Sequence, residues 1–277
     1  MRVGSAPDSW GVWFADDPRQ VPWTRFLDEI AVAGYEWLEL GPYGYLPTDS
    51  SRLADEVARR GLRVAGGTVG GSLQIALAWP DLVASARRVA SLASQVGARF
   101  VVFLPDAEGE ADWSQLTHAA NQLSRLLQDE FGVSMVFHPH ADSHVETQLQ
   151  IERFLDNTDV SLCLDTGHVA YRRGDNLALI RDYPSRIGYV HLKQVNPAVL
   201  DIVEAKGLSF GDAVPLGVCP EPPGGVPSFE ALHDALAPLG DDLFTIVEQD
   251  LYPCAPDVPL PIACRTRTYL RECGFDG

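Results

Sequence analysis

The amino-acid sequence predicts a single (β/α)8 barrel, and three observations carry that expectation. Eight short apolar runs alternate with longer amphipathic segments along the 277 residues. The runs are apolar from end to end, as in parallel strands whose two faces are both covered. Eight strand-then-helix units in about 250 residues is the count that closes such a sheet on itself. An open, doubly wound sheet is the competing arrangement. It expects a GxGxxG turn after the first strand, and none is present. The GGTVGGS stretch at 66–72 lacks both the spacing and a downstream acidic partner.

The first strand is expected over Arg2–Ala6 and its helix over Val21–Ala33, where Gly34 provides the stop. The second pair is Tyr35–Leu40 and a helix from Thr48 to Arg60, closed by Gly61. The third strand spans Leu62–Gly66, followed by a helix over Pro80–Val96 and Gly97. The fourth is Arg99–Leu104, with the helix Trp113–Phe131 and Gly132 behind it. Val133–His138 and a helix near Val145–Asp156 form the fifth unit, Val160–Leu164 and Asn176–Tyr183 the sixth. Ile187–Leu192 is the seventh strand. The longest interruption then runs from Lys193 to Pro227, with a helical piece at Ala198–Lys206 and the Pro/Gly-rich stretch CPEPPGGVP. A loop of that length reads as a lid-like insertion, not as a linker. A helix over Ser228–Leu239, the strand Leu243–Val247 and a helix at Ile262–Cys273 complete one expected domain, 1–277.

Composition narrows the function classes. Hydrophobic residues make up 46% of the chain and aromatics 9%, ample for a large core. The formal net charge of −17, with no local run of Lys and Arg, opposes a nucleic-acid partner, which needs a concentrated basic surface. The N-terminal MRVGSAPDSWGVWF has no basic segment followed by an apolar stretch, so no signal peptide is expected. No segment reaches the roughly 18 apolar residues of a membrane span. Cys163, Cys219, Cys254, Cys264 and Cys273 are odd in number and form no CxxC pair, which points to free thiols in a reducing compartment. The expectation is a cytoplasmic protein with neither nucleic acid nor membrane as partner.

In a barrel the C-terminal strand ends converge on one mouth, and catalytic groups come from several strands. The first run leads into Asp8 and the second ends at Glu39. The fifth ends in VFHPHAD, with His138 and His140, and the sixth in LCLDTGH, with Asp165 and His168. The seventh ends in YVHLK, with His191 and Lys193, and the eighth in VEQD, with Glu248. His138, Asp165, His191 and Glu248 share the strand-end position and are the expected metal ligands. Two imidazoles and two carboxylates suit Mn²⁺, Zn²⁺, Fe²⁺, Co²⁺ or Ni²⁺ without selecting sharply among them. Singly, each has a plainer explanation; Asp165, above all, would serve as the N-cap of the next helix. Four on consecutive strands argue for a shared site.

The remaining candidates are weaker. His118 and His233 lie in helix patterns, and His144 starts the fifth helix. No G-x-S-x-G elbow and no Cys–His spacing supports a serine or thiol nucleophile. Trp10, Trp13, Tyr43 and Tyr45 suit the wall of a pocket for a polyol or sugar ring, or simply cover the barrel rim. Asp8, Trp10, Tyr43 and Tyr252 are the expected substrate contacts.

These stretches carry a resemblance. The chain resembles the xylose isomerase-like barrel superfamily of sugar phosphate isomerases and epimerases, and within it most nearly the inosose (2-keto-myo-inositol) dehydratase branch. LDTGH, VHLK and the late VEQD form the superfamily's combination, while SAPDSWGVW and LELGPYGYLPTD are more specific to the dehydratase branch. The likeness spans nearly the whole chain. It implies a divalent ion, Mn²⁺ or Co²⁺ first, with Zn²⁺, Fe²⁺, Ni²⁺ and Mg²⁺ as alternatives. Asp165, His191 and Glu248 match the family's ligand positions. In the isomerases and epimerases the fifth-strand ligand is usually Glu, in a Glu-x-His pattern, whereas here it is His138. That departure disfavours proton transfer between two glutamates and agrees with the H-x-H of the dehydratase branch. The resemblance also implies a homodimer or homotetramer.

The reaction it implies is abstraction of a proton α to a ketone, followed by β-elimination of water from a keto-cyclitol or keto-sugar. Glu39 or His140 is expected as the base, and Lys193 or His168 as the acid. A ketose isomerase or epimerase and a non-catalytic polyol-binding barrel are the competing classes. No Gly-rich cradle after strand seven or eight argues for a phosphate on the substrate.

Overall fold

A computed structural model describes residues 1–276, so Gly277 of the expected domain lies outside the described residues. Eight parallel strands run in sequence order around a closed barrel, with β1 paired to β8. The order is β1 (Arg2–Ser5), α1 (Trp23–Val32), β2 (Trp37–Glu39), α2 (Ser50–Ala58), β3 (Arg63–Gly71), α3 (Trp79–Gln95), β4 (Phe100–Pro105) and α4 (Trp113–Phe131). It continues through β5 (Ser134–Phe137), α5 (Gln148–Asn157), β6 (Ser161–Asp165), α6 (Thr166–Tyr171), α7 (Asn176–Asp182) and β7 (Ile187–Leu192). After these come α8 (Pro197–Lys206), α9 (Phe210–Ala213), α10 (Phe229–Leu236), β8 (Phe244–Val247) and α11 (Pro259–Glu272). No helix among the described residues is long and apolar enough to cross a membrane. All five cysteines are free.

Three elements depart from expectation for identifiable reasons. β3 continues five residues past Gly66, through the rest of the glycine-rich GGTVGG stretch. A Cβ on Gly67 would stand 2.8 Å from Cγ1 of Val89 on α3, so glycine there allows the strand to lie close under its helix. Helix α6 is one short turn, started by Asp165 itself, whose side chain accepts from the His168 amide. The fifth helix begins at Gln148, later than expected, because Thr147 and Gln150 form a capping box.

Alternation along the strands sorts the side chains into two layers. Ala65, Val102, Val136, Cys163, Tyr189, Phe244 and Ile246 fill the barrel interior. Neighbours such as Leu38, Val101, Phe137, Leu164 and Val190 face outward and pack under the helices. Phe137 stacks on Phe154 of α5 with ring centroids 3.9 Å apart. Burying such a ring contributes about 2–3 kcal/mol. At the base, Arg2 and Arg63 lie over Trp37, and Arg99 over Phe244, closing the end opposite the site. Segment 193–227 adds a separate apolar cluster, in which Phe210, Val214 and Val218 pack with Ala141 and Tyr171.

Candidate metal centre and its cavity

The interior layer leads directly to the candidate ligands. His138 follows Val136 by two residues, as Asp165 follows Cys163, His191 follows Tyr189, and Glu248 follows Ile246. A two-residue step returns to the same face of a strand, so the four side chains crown the interior at its C-terminal mouth. Asp165 and His191 are direct register partners across β6 and β7. The ligand atoms of all four lie within 4.8 Å of one another, and all four residues are buried.

Their arrangement is specific. Nδ1 of His191 lies 3.0 Å from Glu248 Oε2 and 3.8 Å from Asp165 Oδ2. His138 offers its other nitrogen, Nε2, at 3.3 Å from Asp165 and 3.7 Å from Glu248. The N-cap expected of Asp165 is present, with Oδ1 accepting from the His168 amide at 2.7 Å, and its Oδ2 faces the cluster. His191 Nδ1 is buried and makes no hydrogen bond. Two carboxylate oxygens and two ring nitrogens turned on one point form a donor set that fits a divalent cation.

Lys193 supplies the positive charge beside this group. Its Nζ is 3.1 Å from Asp165 Oδ2, 2.9 Å from Glu248 Oε2 and 2.7 Å from Asp250 Oδ2. Burial alone would lower the ammonium pKa, but Asp165, Asp250 and Glu248 hold it well above the usual lysine value. Burial pushes Glu248 up, yet His191 and Lys193 bring it well below the ordinary carboxylate range. Asp8 moves the other way, raised well above its usual value by burial and by the charges of Glu248 and Asp250. The Lys193 stem lies across Gly167, where any side chain would collide with it. That contact explains the glycine in LDTGH.

A cavity of about 470 Å³ opens over the cluster. Its polar wall is formed by Asp8, His138, His140, Asp142, Lys193, Glu248 and Asp250, with Thr68 opposite. Trp13, Phe14, Leu104 and Phe210 provide apolar surface. The His140 imidazole is lowered to about 4 by burial and by the neighbouring charges of His138 and Lys193. With Nδ1 2.7 Å from the Ala141 carbonyl, the neutral ring donates there and keeps its lone pair on Nε2.

Several expected site residues lie elsewhere. Trp10 is fully buried, packed edge-on against Phe26, and its indole N–H donates to Glu29, so it does not contact the cavity. Tyr43 stands on the rim outside the cavity, beside Leu92 of α3. Tyr252 stacks behind Trp13 at 5.0 Å and donates its hydroxyl to Asp17, supporting the wall without forming it. Glu39 is buried behind His191, 2.7 Å from its Nε2, and is not a cavity residue. His168 is also enclosed, with its ring 4.0 Å from that of His140, and its pKa is driven well below the usual value by burial and the charges of His140 and Lys193. It does not line the cavity.

Asp250 is the residue that sequence reasoning passed over as loop. It accepts from Lys193 and, through Oδ1, from the Trp13 indole at 3.0 Å. A signal was available, because Asp250 extends the two-residue step of Phe244, Ile246 and Glu248. Phe210 had no such signal. It reaches the cavity because its amide donates to Asp142 Oδ2 at 2.6 Å, tying α9 to the loop after β5.

The model of the xylose isomerase-like TIM barrel family matches residues 27–259. The chain is similar to an inosose dehydratase of Geobacillus thermodenitrificans, 27% identical over 299 residues that cover 99% of this chain and 98% of that one. Among solved structures, the D-psicose 3-epimerase of Clostridium cellulolyticum H10 superposes with a TM-score of 0.75 at 13% identity, over 99% of both chains. The IOLI protein, solved with a zinc atom, gives a TM-score of 0.69 at 14% identity, covering 100% of this chain and 97% of that one. The chain belongs to the xylose isomerase-like TIM barrel family.

Proposed function

We propose that this protein is a metal-dependent dehydratase, a carbon–oxygen lyase that removes water from a keto-cyclitol or keto-sugar. The observation that carries this reading is the fifth-strand position, where His138 joins the ligand cluster and no glutamate lines the cavity opposite Glu248. An epimerase moving a proton between two facing glutamates lacks its second glutamate here. The full-length similarity to an inosose dehydratase supports the same choice, and the zinc in the related IOLI structure supports a divalent ion.

His138, Asp165, His191 and Glu248 would hold the ion, which when bound supplies charge stabilisation for a substrate oxygen as negative charge develops. His140 takes the proton from the carbon α to the ketone on Nε2, its neutral ring being ready to accept. As the C–O bond at the β carbon breaks, Lys193 gives a proton to the departing hydroxyl, which leaves as water. Asp250 keeps the lysine placed, and Trp13, Phe14 and Phe210 exclude solvent from the reacting carbons. Segment 193–227 acts as the lid over this cavity. Lys193 is the single cation among the lining residues and is already paired with carboxylates, which favours an uncharged substrate over a phosphate ester.

Proton NMR in D₂O with inososes, ketoses and 3-keto-glycosides tests the reading. Elimination produces a new vinylic or dione product, and His140→Asn retains metal while losing turnover by about 10²-fold or more. Deuterium uptake without loss of water would instead establish an isomerase or epimerase.

A further inference from the structure

We infer that Glu39 is a positioning residue that selects which nitrogen of His191 is offered to the divalent ion; the inference rests on the metal-centre part of the proposed function, but not on the reaction assigned to it. Glu39 ends β2, on the far side of the barrel from β7 in sequence, 152 residues from His191. It follows the inward-packed Trp37 by two residues, so the same alternation that presents the four ligands also turns Glu39 inward. Yet it is only 2% exposed and is absent from the cavity wall, with the His191 ring standing between it and the cluster.

The hydrogen bond decides the tautomer. His191 Nε2 lies 2.7 Å from Glu39 Oε1, an acceptor, so Nε2 carries the proton. In the neutral ring that a cation requires, the lone pair is thereby left on Nδ1, the atom that faces Glu248 and Asp165 and has no hydrogen-bond partner of its own. His138 has no such carboxylate behind it. Its Nδ1 is buried without a partner, while Nε2 faces the cluster. The two histidines therefore bind through different nitrogens, and only His191 has its choice enforced by a charged acceptor. A carboxylate behind a metal-ligating imidazole fixes the ring and raises its basicity, and removing such a partner typically costs 10–100-fold in metal affinity. Glu39 thus acts through His191 and handles no substrate proton.

The test uses the full-length protein stripped of metal, titrated with Mn²⁺ and Co²⁺ by calorimetry, alongside the visible spectrum of the Co²⁺ form. Glu39→Ala is expected to weaken binding by about 10–100-fold and to alter the cobalt spectrum. Glu39→Gln, which can still accept from Nε2–H, should recover most of the affinity and covers the case in which the alanine variant does not fold. At saturating metal both variants should approach wild-type kcat with KM unchanged. Wild-type metal affinity in both variants, or a kcat loss of 100-fold that saturating metal does not restore, would overturn the assignment. The binding arm needs no substrate, so it stands or fails separately from the elimination reaction.

Discussion

His140 is a residue whose folded surroundings change its ionisation. Burial, His138 and Lys193 bring its pKa from 6.5 to about 4, so the folded protein keeps the ring neutral where the unfolded chain protonates it. Between those two values the unfolded state binds more protons, and stability contributed by this site falls as pH drops. The ceiling is about 3 kcal/mol, less whatever screening the partly exposed ring receives. His140→Asn removes the penalty. Relative to wild type, the variant should therefore gain stability between pH 7 and pH 4, read as the change in the difference of urea midpoints. A difference that stays constant across that range would show that the ring is not held neutral. Residues of this kind were legible from the strand-end pattern, because a two-residue step is all that separates Val136 from His138 and Ile246 from Glu248. The same rule reaches Asp250. It fails for Trp10, where an aromatic near a strand end reads equally as pocket wall or core, and the bond to Glu29 decided for the core.

Strands and helices were legible where a local signal ends them. Helix α4 runs over the expected residues because Gly132 takes a left-handed conformation (φ 68°) and stops it. Short or dual-purpose elements were not. Helix α6 is a six-residue turn too short to show a periodic pattern, although Asp165 was readable as its N-cap, and β3 is built through glycines needed for its packing under α3. The loop after β5 shows the consequence of such long-range ties. Asp142 sits at φ 62°, accepts from the Phe210 amide and pairs with Arg172, so one carboxylate joins the His138–His140 loop to segment 193–227. Asp142→Gly preserves the backbone conformation, which glycine adopts freely, and deletes the tie together with the half-exposed Arg172 pair. A hydrogen bond to a charged acceptor contributes about 1.5–3 kcal/mol, so KM should rise roughly tenfold or more with a smaller change in kcat. Limited proteolysis within 207–225 should accelerate. Loss of kcat at unchanged KM, with that segment no easier to cleave, would place Asp142 in the chemistry instead.

At the scale of the whole molecule, the barrel order was legible from the count of units together with their wholly apolar strands, since consecutive parallel units in a closed sheet leave little topological choice. The apolar cluster of segment 193–227 was not, because its residues bury against Ala141 and Tyr171 from elsewhere in the chain. What the closed barrel does for function is gather ionisable groups at one mouth, among them Asp8, His138, Asp165, His191, Lys193, Glu248 and Asp250. Four of them are carboxylates against one lysine, and taking each from water costs several kcal/mol after relaxation. A divalent ion that binds only the folded chain offsets part of that cost. At one hundred times its Kd it stabilises by about 2.7 kcal/mol, which corresponds to a rise in Tm of roughly 5–10 °C for a chain of this size. Scanning calorimetry of chelator-treated protein, repeated with Mn²⁺, Co²⁺ and Zn²⁺, should show that rise for at least one ion. Asp165→Asn should remove most of it, because the change takes one charge from the ligand set while the amide oxygen can still cap α6. If none of the ions moves Tm in the wild type, the cluster is an ion-pair network closed by Lys193, and the dehydratase reading loses its electrophile.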